Sequence, residues 1–188
     1  MTAWLRSSLR DVSPILRRAV RIQPEQSCPE LGVRSFGKGT VHKPPLTGAD
    51  AGTKRLFKIE PADLVLSNVF AWEGAIAAAS PNDAGRYGSH RFITCVVDSS
   101  RACAEYLKYC LTATEDGKVQ IRRASPGDFI YPKHEMPVPS MAKQLELRAI
   151  YQHMQALQAK HPAIRVANAA LLPATLEQLF AEPATLPS

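Results

Sequence analysis

Residues 32–40 read Gly32-Val33-Arg34-Ser35-Phe36-Gly37-Lys38-Gly39-Thr40, and three more phrases follow in fixed order. They are Ile59-Glu60-Pro61-Ala62-Asp63-Leu64-Val65, then Ala71-Trp72-Glu73-Gly74-Ala75-Ile76-Ala77, then Pro137-Val138-Pro139 with Gln144 close behind. The first is rich in glycine and cations. Glycines let a backbone approach phosphates closely, and the cations can reach phosphate or guanine edges. A P-loop is disfavoured, because Gly39 stands where Ser or Thr would hold magnesium. The polar segment Ile22 to Leu31, with two prolines, also makes a poor buried strand before the loop.

The paired acids Asp63 and Glu73 invite a nuclease reading. Ala75 stands two residues past the second acid, where such an enzyme wants Lys. Asp63 is therefore expected to organise the Pro61-Ala62-Asp63 turn, and Trp72 to sit in the core. No adenine-methyltransferase phrase is present, nor a local Ser/His/Asp or Cys/His signature for hydrolysis.

Outward from these phrases, Phe57 to Val69 is expected to form strands around the turn at 61–63. Ala71 to Ala79 is expected to be a buried strand. Pro81 to Gly85 has turn composition, and Phe92 to Val97 is the clearest strand. Ser99 to Thr112 is read as a helix with a Ser cap, placing Ala102, Tyr106, Tyr109 and Cys110 on one face. Residues 1–21 suggest one or two short helices, 22–58 short strands and long loops, and Pro126 to Pro139 a loop. From Ser140, which can cap a helix, Leu147, Ile150, Met154, Leu157, His161 and Ile164 follow the 3-4 spacing of a coiled-coil seam. Pro162 predicts a kink or break, and Pro173 and Pro183 divide the tail. The expected domains are 1–136 and 140–181, the second interrupted near Pro162 and Pro173.

At 188 residues with 45% hydrophobic and 21% charged residues, the composition is that of a globular protein. No apolar run approaches the ~18 residues of a membrane span, so no membrane partner is expected. Four cysteines, Cys28, Cys95, Cys103 and Cys110, lack a C-x-x-C pair and read as reduced, which favours the cytoplasm. The five histidines show no metal spacing. The N-terminal 22 residues are Arg-rich like a transit peptide, yet the sequence runs on into the first phrase with no cleavage-type junction, and a mature N-terminus is expected. The net charge is +6 and uneven: residues 1–58 hold 11 Lys/Arg against 4 Asp/Glu, residues 59–188 hold 12 against 13. A one-sided basic surplus fits a polyanion, and it equally fits a solvated face. Gly88-Ser89-His90-Arg91-Phe92 places His90 and Arg91 just before the clearest strand.

Together the four phrases and the seam-bearing helix resemble the target-recognition domain of type I restriction-modification specificity (S) subunits, over about residues 18–180. The resemblance implies an α+β fold, a mixed-sheet target-recognition domain followed by a long C-terminal coiled-coil-type helix. It implies a non-catalytic, half-length specificity subunit that binds double-stranded DNA. Its partners would be the methylation and restriction subunits and a second specificity half, a homodimer mate or a separate chain. S-adenosylmethionine, ATP and magnesium would sit on those partners, with no cofactor or metal on this chain. The DNA-facing residues would be Arg34, Lys38, His42, Lys43, Lys54, Arg55, Arg86, His90 and Arg91; the subunit interface would be Leu147, Ile150, Met154 and Leu157. Two departures stand out. Ala62 occupies a place where the family usually has Gly, and Gly127 to Pro137 is shorter than the family's segment. The alternatives are a truncated or decayed fragment that keeps only protein interactions, and a stand-alone nucleic-acid enzyme.

Overall fold

A computed structural model describes residues 4–52, 54–123 and 135–181. The shortened stretch after Gly127 lies outside the described residues up to 134. Along the chain run β1 (Arg6–Ser8), α1 (Leu9–Val12), β2 (Arg18–Ala19), β3 (Ser27–Val33), β4 (Thr40–Thr47) and α2 (Gly48–Ala51). Next come β5 (Leu56–Lys58), β6 (Asp63–Ser67), β7 (Ile76–Ala78), β8 (Tyr87–Ser89) and β9 (Phe92–Val96). The remainder is α3 (Ala104–Ala113), α4 (Glu115–Arg123), β10 (Glu135–Pro137) and α5 (Met141–Ala181). The expected α+β class with a long C-terminal helix is what folds.

The strands form a five-stranded sheet in the order β2-β5-β8-β3-β4, a three-stranded sheet β7-β6-β9, and the pair β1-β10. Pairing is antiparallel except for Glu30 of β3 against Tyr87 of β8. Strand β6 is buried along its whole length. Side chains alternate across a strand, so Leu64 and Leu66 enter one cluster with Leu9, Ile76, Leu107 and Leu111. Val65 enters the other with Leu31 and Ile59. Each such side chain contributes roughly 1.5–3 kcal/mol, which makes β6 the strand that joins the sheets through the core.

Asp63 organises its turn, as expected. Its carboxylate accepts from the Glu60 amide at 2.8 Å and from the Arg18 guanidinium at 2.6 and 3.1 Å. Ala62 adopts φ 65°, left-handed backbone that costs a Cβ-bearing residue; this is why glycine suits the position. Hydrogen bonding to Asp63 is the leading cause that raises the Arg18 pKa above its usual value.

The structure differs from the sequence reading in several places. Residues 4–21 form one helical turn and two short strands, because Ile15, Leu16 and Val20 are spent on sheet edges: Ile15 bridges Cys95, and the Leu16 and Val20 amides donate to Thr94 and Leu56. Residues 71–73 are a 3-10 turn before β7, ended by Gly74 at φ 72°. Helix α3 starts at Ala104 and is capped by the Cys103 sulfur, which accepts from the Tyr106 amide; the Ser99 cap is not used. Ser140 does cap α5 through the Lys143 amide at 3.4 Å. Helix α5 runs without a break through Pro162 and Pro173.

Backbone contacts divide the chain into Met1–Arg148 and Ala149–Ser188. The first unit therefore takes in the opening two turns of α5. Gln144, fully buried, is the reason: its amide donates to the carbonyls of Arg101 and Pro139, both at 2.8 Å, while its oxygen accepts from the Cys103 amide at 3.1 Å. One side chain thus fixes the Pro-Val-Pro segment and the start of α3 to α5. Leu147 packs against the main core cluster. The second unit is helical to Ala181, and Ile150, Met154, Leu157 and Ile164 are each about half exposed.

Candidate nucleic-acid interface

The hairpin β3–β4 turns through residues 34–39. Ser35 donates to the Glu73 carboxylate at 2.7 Å, and the Phe36 and Gly37 amides donate to the carbonyls of Glu73 and Gly74 at 2.8 and 2.9 Å. The first and third phrases of the sequence are therefore one docked structure. Arg34 donates to the Lys38 carbonyl at 2.9 Å, and the Lys38 ammonium lies 5.7 Å from the Phe36 ring centre. Both cations are thus partly engaged by their own loop.

His42 is not free to face a ligand with both nitrogens. Its Nε2 lies 2.7 Å from the Asp83 carboxylate, which also accepts from the Ser80 amide and hydroxyl and from Thr40. Burial by itself would raise the Asp83 pKa; the bonds from Ser80, His42 and Thr40 outweigh it and hold the carboxyl below its usual value. The cluster pins β4 to the turn after β7, a structural duty that the sequence reading did not assign.

Four of the expected residues do converge. Lys43 from β4, Lys54 from the loop before β5, and His90 and Arg91 from the β8–β9 turn line one cleft of about 470 Å³. Its lining also includes Glu30 and Gly32 of β3 and the apolar residues Val69, Phe70 and Phe92. Gly32 is required by close approach: a Cβ there would stand 3.1 Å from Lys43 Cε and 2.9 Å from Val41 Cγ1. The lysine stem therefore crosses the strand at that point. Among the described residues, Lys43, Lys54 and Arg91 form no ion pair. Unpaired cations around a concave wall are free to meet an anion.

Arg55 lies outside this cleft, in another groove with Arg21 and Phe57 that Lys54 also lines. Arg86 lines neither, and its backbone bonds Asp83 and Ile59. Arg17, counted only within the basic N-terminal run, shapes the site: its guanidinium donates to the carbonyls of His90 and Phe92, each at 3.0 Å, over the Phe57 ring at 5.0 Å. It sets the turn that presents His90 and Arg91. No spacing in the sequence signals this.

Trp72 is not a core residue. It is half exposed, with its indole N–H donating to the Val69 carbonyl at 3.1 Å, and Phe70 beside it is also half exposed. The loop closes against the hairpin tip, so its aromatic faces stay outside. Trp72, Phe36 and Ile121 border a second concavity of about 670 Å³. Asp63 and Glu73, the pair that suggested a nuclease, are engaged separately by Arg18 and Ser35. Among the described residues no group of three His, Cys, Asp or Glu has metal-binding spacing, and no helix is long and apolar enough to cross a membrane.

The chain is similar in structure to the HsdS subunit from Thermoanaerobacter tengcongensis, with a TM-score of 0.77 at 16% identity, over 99% of this chain and 51% of that one. It is also similar to a chain from a structure of the type I R-M system concerned with complex assembly and conformational transition. There the TM-score is 0.64 at 20% identity, over 100% of this chain and 52% of the other. No family model and no curated protein matches. The fold is thus that of about half of an HsdS chain, and this chain spans about half the length of those proteins.

Proposed function

We propose that the chain is a non-catalytic specificity half-subunit of a type I restriction-modification system that binds double-stranded DNA. The observation that carries the reading is the convergence of Lys43, Lys54, His90 and Arg91 on one cleft within a fold shared with HsdS along its whole length. Such cations neutralise phosphates and release counterions, which supplies affinity; base edges in the groove supply specificity. The DNA-facing set is then Lys43, Lys54, His90 and Arg91, with Arg34, Lys38, Arg55 and Arg86 as outlying phosphate contacts. His42 is a scaffold residue in this account.

Ile150, Met154 and Leu157 are the helix positions that engage a second specificity half or the methylation subunits. Leu147 serves the domain instead. Half-exposed apolar residues at seam spacing are a surface that association would bury. Methyl transfer from S-adenosylmethionine and ATP-driven, magnesium-dependent cleavage belong to the partners. The test is reconstitution with the methylation subunit that co-purifies from the native cell. Methylation of a fixed DNA sequence only when this chain is present supports the reading. A chain that recovers no methylation subunit and binds no duplex contradicts it.

A further inference from the structure

The lining of the basic cleft includes a carboxylate, Glu30, with no side-chain partner among the described residues. Glu30 sits where the β3–β4 register slips: Pro29 pairs with Pro45 and Leu31 with His42, so Lys43 and Pro44 together face the single residue Glu30. An irregularity of this kind bends a strand and re-aims side chains. Gly32, two residues on, shares the same face of the strand, and the Lys43 stem crosses there. Glu30 and Lys43 thus line one cleft from one bulge, beside Lys54 and Arg91. Even so, Glu30 makes no ion pair or side-chain hydrogen bond with a described residue.

A carboxylate repels phosphate. Among cations suited to a DNA backbone, it fits only where the duplex presents a hydrogen-bond donor. In the major groove those donors are the exocyclic amino groups, cytosine N4 and adenine N6. An arginine or lysine beside the carboxylate adds a donor suited to guanine O6 and N7. A single G·C pair presents both halves of that pattern on its major-groove edge.

Resting on the DNA-binding reading above, we propose that Glu30 is a specificity-determining residue that accepts a hydrogen bond from an exocyclic amino group on a base edge, with a cation of the same cleft meeting the acceptors beside it. The amino group must be held for binding to be favourable, because an unmet carboxylate in the cleft opposes the duplex. Bases without that group are rejected.

The test is selection from a random duplex library with the 188-residue chain, its Glu30→Ala variant and its Glu30→Gln variant, with thermal melting to verify folding. The wild type should enrich one position for cytosine or for adenine, and which base appears identifies the amino group. Glu30→Ala should lose preference at that position alone, by roughly tenfold to a hundredfold, and should bind unrelated duplex as well as or better than the wild type. Replacing the selected base by an analogue lacking its amino group should weaken the wild type and leave Glu30→Ala unchanged. A wild-type motif that Glu30→Ala and Glu30→Gln both retain at every position would overturn the proposal while leaving the DNA reading intact. A wild type that enriches no sequence would overturn both.

Discussion

The Ser35 hydroxyl donates to the Glu73 carboxylate at 2.7 Å, across 38 residues of sequence. Two phrases that look independent on the chain are therefore one folded corner, with backbone bonds from Phe36 and Gly37 directly after the contact. Ser35→Ala should cost about 1.5–2 kcal/mol, since a hydrogen bond to a charged group is worth somewhat more than a neutral one while the backbone bonds remain. Urea unfolding measures it. A loss of several kcal/mol would mean the corner depends on this one contact.

Ala62 carries the strain of φ 65° at the turn that Asp63 organises. Ala62→Gly should raise stability by about 0.5–1 kcal/mol, the relief of left-handed strain less the added freedom of the unfolded chain. A lower urea midpoint for the variant would show that the turn is not strained.

Gln144 satisfies one amide and two carbonyls while fully buried. Gln144→Leu leaves all three without their partner, so a loss on the order of 3 kcal/mol is expected. Gln144→Glu should also destabilise near neutral pH, because a carboxylate cannot donate to Arg101 and Pro139. Unfolding midpoints near the wild type for both variants would contradict this account of the junction.

Asp83 gives the pH dependence. Burial opposes its charge, but the Ser80, His42 and Thr40 bonds hold its pKa below the usual 3.8. A depressed carboxylate stabilises the fold above its unfolded pKa, and that stability is lost as pH falls through the lower folded value. Stability should therefore fall on acidification from about pH 4 downward, and Asp83→Asn should reduce the steepness of that fall. Asp98, held low by Ser100, retains part of the slope. A variant with the full wild-type slope would remove Asp83 from the cause.

Much of this fold is legible in the sequence because local chemistry and packing agree. The apolar β6 segment, the β-branched β9 segment, the Pro-Ala-Asp turn and the Ser140 cap all follow from residue type and spacing. The N-terminal segment is not legible, because its apolar residues serve strand edges contributed by distant residues, Thr94 and Leu56 among them. Pro162 is misleading for a different reason: it removes one helix bond, yet α5 continues through it. At the site, cations could be counted from sequence but not sorted. His42 looks like its basic neighbours until Asp83 is placed 2.7 Å from it. Arg17 and Glu30 gain their importance only from the turn and the bulge that tertiary pairing creates.

The helix stripe predicts association. Ile150→Asp with Leu157→Asp places charges on a half-exposed apolar face and should shift sedimentation toward the monomer without lowering the melting temperature of the domain. A wild type that is monomeric at every concentration, with or without methylation subunit, would contradict an interface there.

The most direct measurement is the salt dependence of duplex binding by the wild type and by a Lys43→Ala, Lys54→Ala double variant. Both lysines line the cleft, and each phosphate contact contributes about 0.9 to the slope of log K against log salt. The account predicts a steep wild-type slope that the double variant flattens by up to about two. Equal slopes, or no binding by the wild type even at low salt, would contradict the claim that this cleft meets DNA.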